Sequence, residues 1–433
     1  MGGATLGAIA ESLELNLFTV RHWWRVYRDG GWSALNPAPK GPPQRGALGR
    51  FDPRVKYVAL RLKREHPGWG LPILRLHMQR RPSLAGIALP KNTVLWAYLH
   101  QFGSRLLTPR RLPTQRPESR PVRAEAPHQC WEMDFKGDES VQGCQVIVCP
   151  FGITDEATGA PLLRVMHTIK VRGNHQGLTS RHVQADLRQA FATWGLPDAI
   201  RMDRDSLFIG SSHLDWPGTL LLWLVGLGIQ PIINRAYRPT DNAMIERAHQ
   251  TWYSDVLEGR PFYDVDALQA ASDQALEDRR LQLPSRHPGC DGCAPAVAFP
   301  DLLRARHPYQ VDRERQLFDL ARVDAYLAQW EWRRQVDSAG KISLASRNQH
   351  ISKRYLRQVV KVRFDPTTRE VICSLASDEI VARLTLVELT ADYILGQGYD
   401  LNEWIPGGSP YPNSTGSRTP PADGAYLNEP VPN

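Results

Sequence analysis

The sequence of 433 residues is poor in cysteine and has no long apolar run. Its six cysteines are scattered, so in a chain of this size they do not form a disulfide framework. The longest apolar stretch, residues 219–233, contains two glycines and a glutamine and is too short to span a bilayer, so it predicts a buried core element. No basic segment followed by an apolar run opens the sequence, so we expect a cytoplasmic protein without a membrane partner.

A convincing nucleophile set of the Ser/His or Cys/His kind is also missing. Cys290 and Cys293, with His287 before them and His307 after, could in principle ligate zinc. The spacing is poor and the segment is rich in glycine and proline, which favours a plain loop with reduced thiols.

Positive charge is present, but unevenly placed. The net charge is +8, and residues 1–127 carry 21 Lys and Arg against 7 Asp and Glu, which leaves the rest of the chain net negative. This asymmetry predicts a front end that contacts the phosphates of a polyanion. The alternative is a generically basic, solubilising surface.

The first 35 residues have the pattern of a helix-turn-helix. An apolar stripe through Leu6 and Leu13 is followed by a turn and by a second helix over about 19–27, which Gly30-Gly31 ends. We expect this helix to turn Trp23 and Trp24 partly inward. The other face of the helix then carries four basic side chains that could contact a DNA major groove: Arg21, His22, Arg25 and Arg28. The alternative is a helical hairpin whose basic residues are simply solvated.

The remaining pattern divides the chain into further segments. A linker rich in Pro and Gly (36–49) leads to a second helix-turn-helix over 50–105 and to a basic, Pro-rich linker over 106–127. Residues 128–320 predict an α/β mixed-sheet core with a helical extension, in the order β-β-β-α-β-α-β-α. Short strands over 324–396, among them one over 336–344, suggest a small β-barrel, and residues 397–433 have a disordered composition. The predicted fold class is therefore multidomain.

Three carboxylates lie where predicted strands end or helices begin: Asp134, Asp203 and Glu246. Asp134 lies on the strand face opposite the apolar Trp131 and Met133. Such a set suits two-metal phosphoryl transfer, in which oxygen ligands hold two Mg²⁺ ions and no protein nucleophile is needed. Other acids have simpler interpretations: Asp155 as a turn residue and Asp241 as a helix N-cap.

These residues resemble the motifs of retroviral-type integrases and of bacterial insertion-sequence transposases. Residues 131–135 (WEMDF) resemble the strand with the first aspartate, 203–208 (DRDSLF) the second motif D-N-G-x-x-F, and 238–249 (RPTDNAMIERAH) the third, P-x-x-N-G-x-x-E-R-x-H. The resemblance extends over most of the chain and implies tandem helix-turn-helices, an RNase-H-like core over roughly 128–260 and a small C-terminal barrel.

The second and third motifs also depart from the family pattern. Arg204 and Asp205 replace Asn-Gly, so Asp205 competes with Asp203, and we favour Asp203 because it keeps the register to Phe208. Ala243 replaces a glycine. The 43 positions from Asp203 to Glu246 exceed the family's usual spacing, and 213–218 has the character of an insertion.

The resemblance implies a transposase or integrase (a polynucleotidyl transferase) that cleaves DNA at transposon ends and transfers the strands to target DNA. It implies two Mg²⁺ ions, with Mn²⁺ as a substitute, double-stranded DNA as the partner, a homo-oligomer in the DNA complex and a place in the bacterial cytoplasm or nucleoid. We expect Arg247 and His249 to contact the scissile phosphate, the alternative being a solvated helix face. Two rival functions remain: a catalytically inactive, transposase-derived DNA-binding protein, and a nuclease without strand transfer.

Overall fold

The computed structural model describes residues 4–35, 47–103, 123–144, 146–171, 174–175, 177–210, 216–235, 239–345 and 347–396. The chain forms two compact units: Met1–Arg61 with Arg75–Leu107, and Leu62–Leu74 with Thr108–Asn433. Most of the two expected linkers, the start of the expected insertion at His213, and the expected disordered tail lie outside the described residues.

The described residues up to Gly103 form helices joined by turns. Thr5 and Asn16 cap the first two helices, because their side chains accept from the backbone N–H groups of Ala8 and Phe18. The second helix is longer than expected, and Gly31 interrupts its helical geometry with a φ of +65°. The helices are α1 (Leu6–Ser12), α2 (Leu17–Ala34), α3 (Pro53–Glu65), α4 (Leu71–Gln79) and α5 (Asn92–Phe102).

The tryptophans of α2 do not face inward as expected. Trp23 is 40% exposed and Trp24 is 49% exposed. The reason is the size of the neighbouring helix: α1 has seven residues, of which Ala10 is the buried one, and it offers too small a face to cover two indole rings. Arg21, His22, Arg25 and Arg28 are exposed on the same helix.

A mixed sheet forms the centre of the second unit. Its strands run in the order β5-β4-β3-β1-β6-β7, with β2 paired to β3. Strand β1 is antiparallel to β3 but parallel to β6, and β6 is parallel to β7. The strands are β1 (Cys130–Phe135), β2 (Glu139–Ser140), β3 (Val146–Asp155), β4 (Pro161–Val171), β5 (Asn174–His175), β6 (Ala199–Met202) and β7 (Gln230–Ile233).

Helices cover both faces of this sheet, as the sequence predicted. On one face Trp131 and Met133 belong to the same core cluster as Leu187 and Phe191. On the other face Met166 packs in a cluster with residues that follow the third motif. The α-helices that follow β5 in the described residues, not all of which contact this sheet, are α6 (Ser180–Trp194), α7 (Ser206–Ile209), α8 (Thr219–Gly226), α9 (Ala243–Trp252), α10 (Val265–Leu281), α11 (Pro295–Ala298), α12 (Glu314–Leu317), α13 (Leu320–Ala328) and α14 (Ala391–Leu395).

The strands after residue 330 are short, as expected, and they pair antiparallel, but a barrel is not shown. In the described residues they form an open sheet in the order β13-β12-β11-β8 and a separate hairpin of β9 and β10. The strand expected over 336–344 begins only at Lys341, because a turn with Gly340 at a φ of +77° precedes it. The strands are β8 (Glu331–Gln335), β9 (Lys341–Leu344), β10 (Arg347–His350), β11 (Val359–Asp365), β12 (Glu370–Ser374) and β13 (Ile380–Leu384).

Within the described ranges, no helix has both the length and the apolar character needed to cross a membrane.

Candidate active site

Asp134 is the last residue but one of β1. It lies on the opposite face from Met133, as the alternation of the strand predicts, and its side chain is 18% exposed. Burial raises the pKa of Asp134 to about 8, with help from the charges of Asp203, Glu246 and Asp205. Asp134 therefore stands in a region of concentrated negative charge.

Asp203 follows β6 directly. Because β1 and β6 are parallel, their carboxyl ends lie at one edge of the sheet, which brings Asp203 towards Asp134. Burial raises the pKa of Asp203 as well, and the charge of Asp205 adds to this increase. The backbone N–H of Asp205 donates to the Asp203 carboxylate at 2.9 Å.

The competing acid, Asp205, has a structural role. It is the N-cap of α7, where its carboxylate accepts from the N–H of Leu207 at 2.8 Å. The short helix carries Phe208, whose ring stacks on Phe135 with centroids 5.6 Å apart. This contact gives a physical reason for the five-residue register between Asp203 and the aromatic residue.

Glu246 lies in the first turn of α9 and its side chain is exposed. Partial burial of its carboxyl group raises its pKa, and its charge acts on Asp134. The helix packs against the sheet through Ile245, Trp252 and, in the π-helical turn after it, Val256. Ala248, three residues after Ile245, is only half-buried, and His249 is buried next to it.

Two other expectations for the third motif need correction. Asp241 does not cap α9: its carboxylate pairs with Arg235 at 2.7 Å, and Asn242 occupies the cap position. His249 does not face solvent for contact with a phosphate. It lies four residues after Ile245 and therefore on the same buried side of the helix.

Beneath the helix, His249 takes part in a buried polar contact. A guanidinium nitrogen of Arg164, on β4, is 2.6 Å from Nδ1 of His249. Nε2 of the same ring is 3.6 Å from a carboxylate oxygen of Asp134. The Arg164 guanidinium also lies over the ring of Trp252, 5.1 Å from its centroid.

A second group of buried charges lies beside the three carboxylates. Glu132, two residues before Asp134, pairs with Arg123 and accepts the backbone N–H of Ile245 at 2.9 Å. Arg123 also pairs with Glu156 at 2.6 Å, and Glu156 pairs with Arg201. Glu132 thereby ties the strand that carries Asp134 to the start of the helix that carries Glu246.

The sequence interpretation missed Glu132 and Arg164, although each left a signal. The alternation that put Asp134 opposite Met133 puts Glu132 on the Asp134 face too. Arg164 is a charged residue within the otherwise apolar run from Leu162 to Met166, which calls for a buried partner.

The donor chemistry of the three carboxylates matches a divalent cation such as Mg²⁺, because hard oxygen ligands carry the negative charge. Burial raises the pKa of Asp134 to about 8, and the charges of the neighbouring acids add to that increase. In the part of the chain that the structure describes, no three His, Cys, Asp or Glu side chains stand close enough to hold a metal without rearrangement. The residues present thus suit the ion in kind, while their side chains are not gathered around one point.

The other expected site residues differ in their surroundings. Arg247 is exposed and borders a cavity of about 680 Å³ that Arg286 and His287 also line. Residues 290–293 form a turn in which the N–H of Cys293 donates to the carbonyl of Cys290 at 2.8 Å. Cys290 is buried and Cys293 exposed.

No family model matches the sequence. Among solved structures, the chain is similar to the HTLV-2 integrase catalytic core domain in complex with magnesium, with 15% identity over 40% of this chain and 97% of that one, at a TM-score of 0.28. It is similar to a chain of the simian T-cell lymphotropic virus intasome in complex with the PP2A regulatory subunit B56 gamma, with 17% identity over 55% and 77%, at a TM-score of 0.31. The BIV integrase catalytic core domain matches with 17% identity over 40% and 95%, at a TM-score of 0.27. The structural neighbours are thus retroviral integrase catalytic cores, at a level that establishes neither a family nor an activity for this chain.

Proposed function

We propose that the chain is a bacterial insertion-sequence transposase or integrase of the Asp-Asp-Glu type, which cleaves DNA at transposon ends and transfers the strands to target DNA. The observation that carries this proposal is the electrostatic interaction of three acids from separate elements. Burial raises the pKa of Asp134 to about 8, and the charges of Asp203 and Glu246 add to the increase. Buried acids with strongly perturbed pKa values at a sheet edge are frequent at functional sites.

Asp134, Asp203 and Glu246 would hold two Mg²⁺ ions, with Mn²⁺ as a substitute. Bound ions of this kind activate the attacking water or 3′-hydroxyl and stabilise the leaving oxygen. The chain's own contribution is to hold the carboxylates on or next to rigid elements. Asp134 lies on β1, Asp203 directly follows the parallel strand β6, and Glu246 lies on a helix that Glu132 anchors through the N–H of Ile245. Arg247, exposed next to Glu246, is placed to contact a DNA phosphate.

The same proposal assigns DNA binding to the basic N-terminal helices. The four basic side chains of the second helix are exposed on a surface suited to a major groove: Arg21, His22, Arg25 and Arg28. We further propose that a helix-turn-helix forms there, and that a homo-oligomer acts in the bacterial cytoplasm or nucleoid, because two DNA ends have to be brought together.

The binding step is tested by replacing Arg21 and Arg25 with alanine. If each contacts one phosphate, the slope of log K against log salt falls by about 0.9 per residue. Arg304→Ala is the control, since it removes an exposed arginine that pairs with Asp301 in the other unit. An unchanged salt dependence in the double variant would remove α2 from the DNA interface.

The catalytic step is tested with linear DNA that carries the sequences flanking the coding region. We expect strand cleavage with Mg²⁺ or Mn²⁺, DNA binding without turnover in Ca²⁺, and no cleavage in chelator. Asp203→Asn should abolish cleavage. Asp205→Asn is the matched control, because asparagine can still cap α7 and activity should stay within about tenfold of wild type. Cleavage in chelator, or a dependence on zinc alone, would refute the two-metal assignment.

A catalytically inactive, transposase-derived DNA-binding protein is the second candidate. One observation favours it: among the described residues, no three potential ligands are gathered closely enough to hold a metal. This candidate would be supported if the wild-type chain binds its flanking DNA but fails to cleave it, whichever divalent cation is present. Cleavage without joined products would point instead to a nuclease with the same core.

A further inference from the structure

A row of three residues crosses the sheet beneath α9. Asp134 on β1 pairs in register with Gly152 on β3, and Gly152 pairs with Arg164 on β4. Residues directly opposite each other on neighbouring strands point to the same face of a sheet. The row therefore has an acid at one end, an arginine at the other, and no side chain between them.

The absence of a side chain at Gly152 leaves the space in which the Arg164 guanidinium lies. A Cβ atom at residue 152 would be 3.0 Å from Nη2 of Arg164 and 3.2 Å from its Cζ. A glycine inside a strand often marks such a close approach. Arg164 thus extends over β3 in the direction of Asp134, and it is among the largest fully buried side chains of the described residues.

The contact between Arg164 and His249 determines which nitrogen of the imidazole carries the proton. Arg164 lies 2.6 Å from Nδ1 of His249, and a guanidinium can only donate. Nδ1 is therefore the acceptor, and Nε2 bears the hydrogen. The Nε2 atom is buried and has no hydrogen-bond partner among the described residues, yet it faces Asp134 Oδ2 at 3.6 Å.

A buried N–H without a partner is costly, and 3.6 Å is too long for a hydrogen bond. A small movement of the Asp134 carboxylate towards His249 would satisfy the donor. We propose that Arg164 and His249 are positioning residues for Asp134: Arg164 fixes the Nε2–H tautomer of His249, and that N–H orients the carboxylate. This inference rests on the proposed function for its catalytic consequence, but not for its structural part.

The structural part is tested in the metal-free, full-length chain by ¹⁵N NMR after selective labelling of histidine. The signals of His249 are identified by their loss in His249→Gln. We expect an unprotonated Nδ1 and a protonated Nε2 in the wild type at neutral pH. Arg164→Met should abolish this preference, and Gly152→Ala should weaken it by displacing the guanidinium.

A matched control is Arg280→Met, which removes another guanidinium stacked on a tryptophan ring, 5.1 Å from the centroid of Trp194. It should leave the His249 tautomer unchanged. A protonated Nδ1 in the wild type, or a tautomer that does not respond to Arg164→Met, would overturn the proposal.

The catalytic consequence is read from DNA cleavage. Partners that orient a metal ligand typically contribute 10–100-fold, so we expect His249→Ala and Arg164→Met to lower kcat by about that factor with little change in KM for DNA. His249→Gln, which can restore an N–H donor near Asp134, should recover part of the loss. Equal loss in His249→Gln and His249→Ala would overturn the orienting role. Failure of the proposed function can be distinguished from failure of this orienting role, because in that case the wild-type chain itself would not cleave DNA.

Discussion

Glu132 and Asp134 lie two residues apart on one face of the same strand, and their surroundings are opposite. Glu132 is fully buried, with Arg123 beside it and the N–H of Ile245 donating to it. Asp134 is also largely buried, but Asp203 and Glu246 add negative charge to its surroundings. A buried acid that is paired within the protein stabilises the fold. A buried acid among other acids instead forms a site of uncompensated negative charge that can bind a cation.

The pKa directions at the two positions reflect this difference. Burial raises the pKa of Glu132, while the Arg123 guanidinium and the hydrogen bond from Ile245 oppose the increase. At Asp134 burial and the neighbouring acids act in the same direction and raise the pKa to about 8. Arg123 and the N–H of Ile245 thus favour the charged form of Glu132 against the effect of burial, whereas the acids near Asp134 add to the effect of burial and favour its protonated form.

The largest expected effect concerns Glu246, the third of the acids Asp134, Asp203 and Glu246. Under the proposed function, Glu246→Gln should lower DNA cleavage by about a thousandfold or more, because the carboxylate would hold a metal ion that stabilises the transition state. Affinity for DNA should change little, since the proposal assigns DNA binding to the basic N-terminal helices. Cleavage rates and gel-shift affinities are to be compared at matched salt.

Glu258→Gln is the control for that variant. Glu258 lies about 18 Å further along the helical segment, at ~1.5 Å per residue, and its charge acts on Lys63. Cleavage should stay close to that of the wild type. Normal cleavage by Glu246→Gln together with an inactive Glu258→Gln would mean that the third motif is out of register.

The second effect concerns the stability of the fold and is expected at Glu132, the acid that is paired with Arg123. Glu132→Ala should lower the free energy of unfolding by roughly 3 kcal/mol, because it removes one partner of a buried ion pair and leaves the N–H of Ile245 without its acceptor. Glu132→Gln should cost less, since the amide oxygen can still accept that N–H. Urea unfolding followed by tryptophan fluorescence measures both. Equal stability of Glu132→Ala and wild type would contradict the bracing role.

Local patterns were enough to predict the elements that carry the candidate site. The apolar runs predicted β6 over 199–202 with its observed bounds, and alternation predicted the face of Asp134. The motif register to Phe208 corresponds to a real contact with Phe135. Each of these signals depends on residues close together in sequence, which is the range over which strand and helix periodicity operates.

Partners that are distant in sequence could not be predicted in this way. His249 is 85 positions from Arg164, and Glu132 is 113 positions from Ile245. The spacing of four residues from Ile245 puts His249 on the buried side of α9, but the sequence pattern does not supply its partner, the Arg164 guanidinium beneath the helix.

The third effect is a dependence of stability on pH. The pKa of Asp134 is about 8 in the folded chain against an ordinary value of 3.8, so the folded state holds this proton more tightly than the unfolded state. Stability of the metal-free chain should therefore fall as pH rises from about 4 to about 8. Asp134→Asn removes this titration and should be more stable than wild type at pH 8, by an amount on the order of a few kcal/mol.

Thermal unfolding of the metal-free chains at pH 5 and at pH 8 measures the difference. Asp205→Asn, which keeps the cap of α7, is the control and should lose nearly as much stability as the wild type between the two pH values, because Asp205 is the weakest of the three charges that act on Asp134. If the wild type loses no stability relative to Asp134→Asn between pH 5 and pH 8, then other groups already neutralise the negative charge around Asp134.

The smallest effect is the most direct test of whether Asp134 and its neighbouring acids bind a divalent cation. Mg²⁺ that binds only the folded chain should raise its stability by about 1 kcal/mol when the free ion is at about five times its Kd. The gain should be larger at pH 8 than at pH 5, because the ion competes with the proton that Asp134 holds at lower pH. Asp134→Asn should lose the gain, and Glu132→Gln should keep it, since Glu132 already has Arg123 as its partner. The measurement needs no DNA and no turnover, so it separates ion binding from catalysis. An equal shift in Asp134→Asn would mean that Mg²⁺ binds elsewhere, and the contrast between the two acids would then concern stability alone.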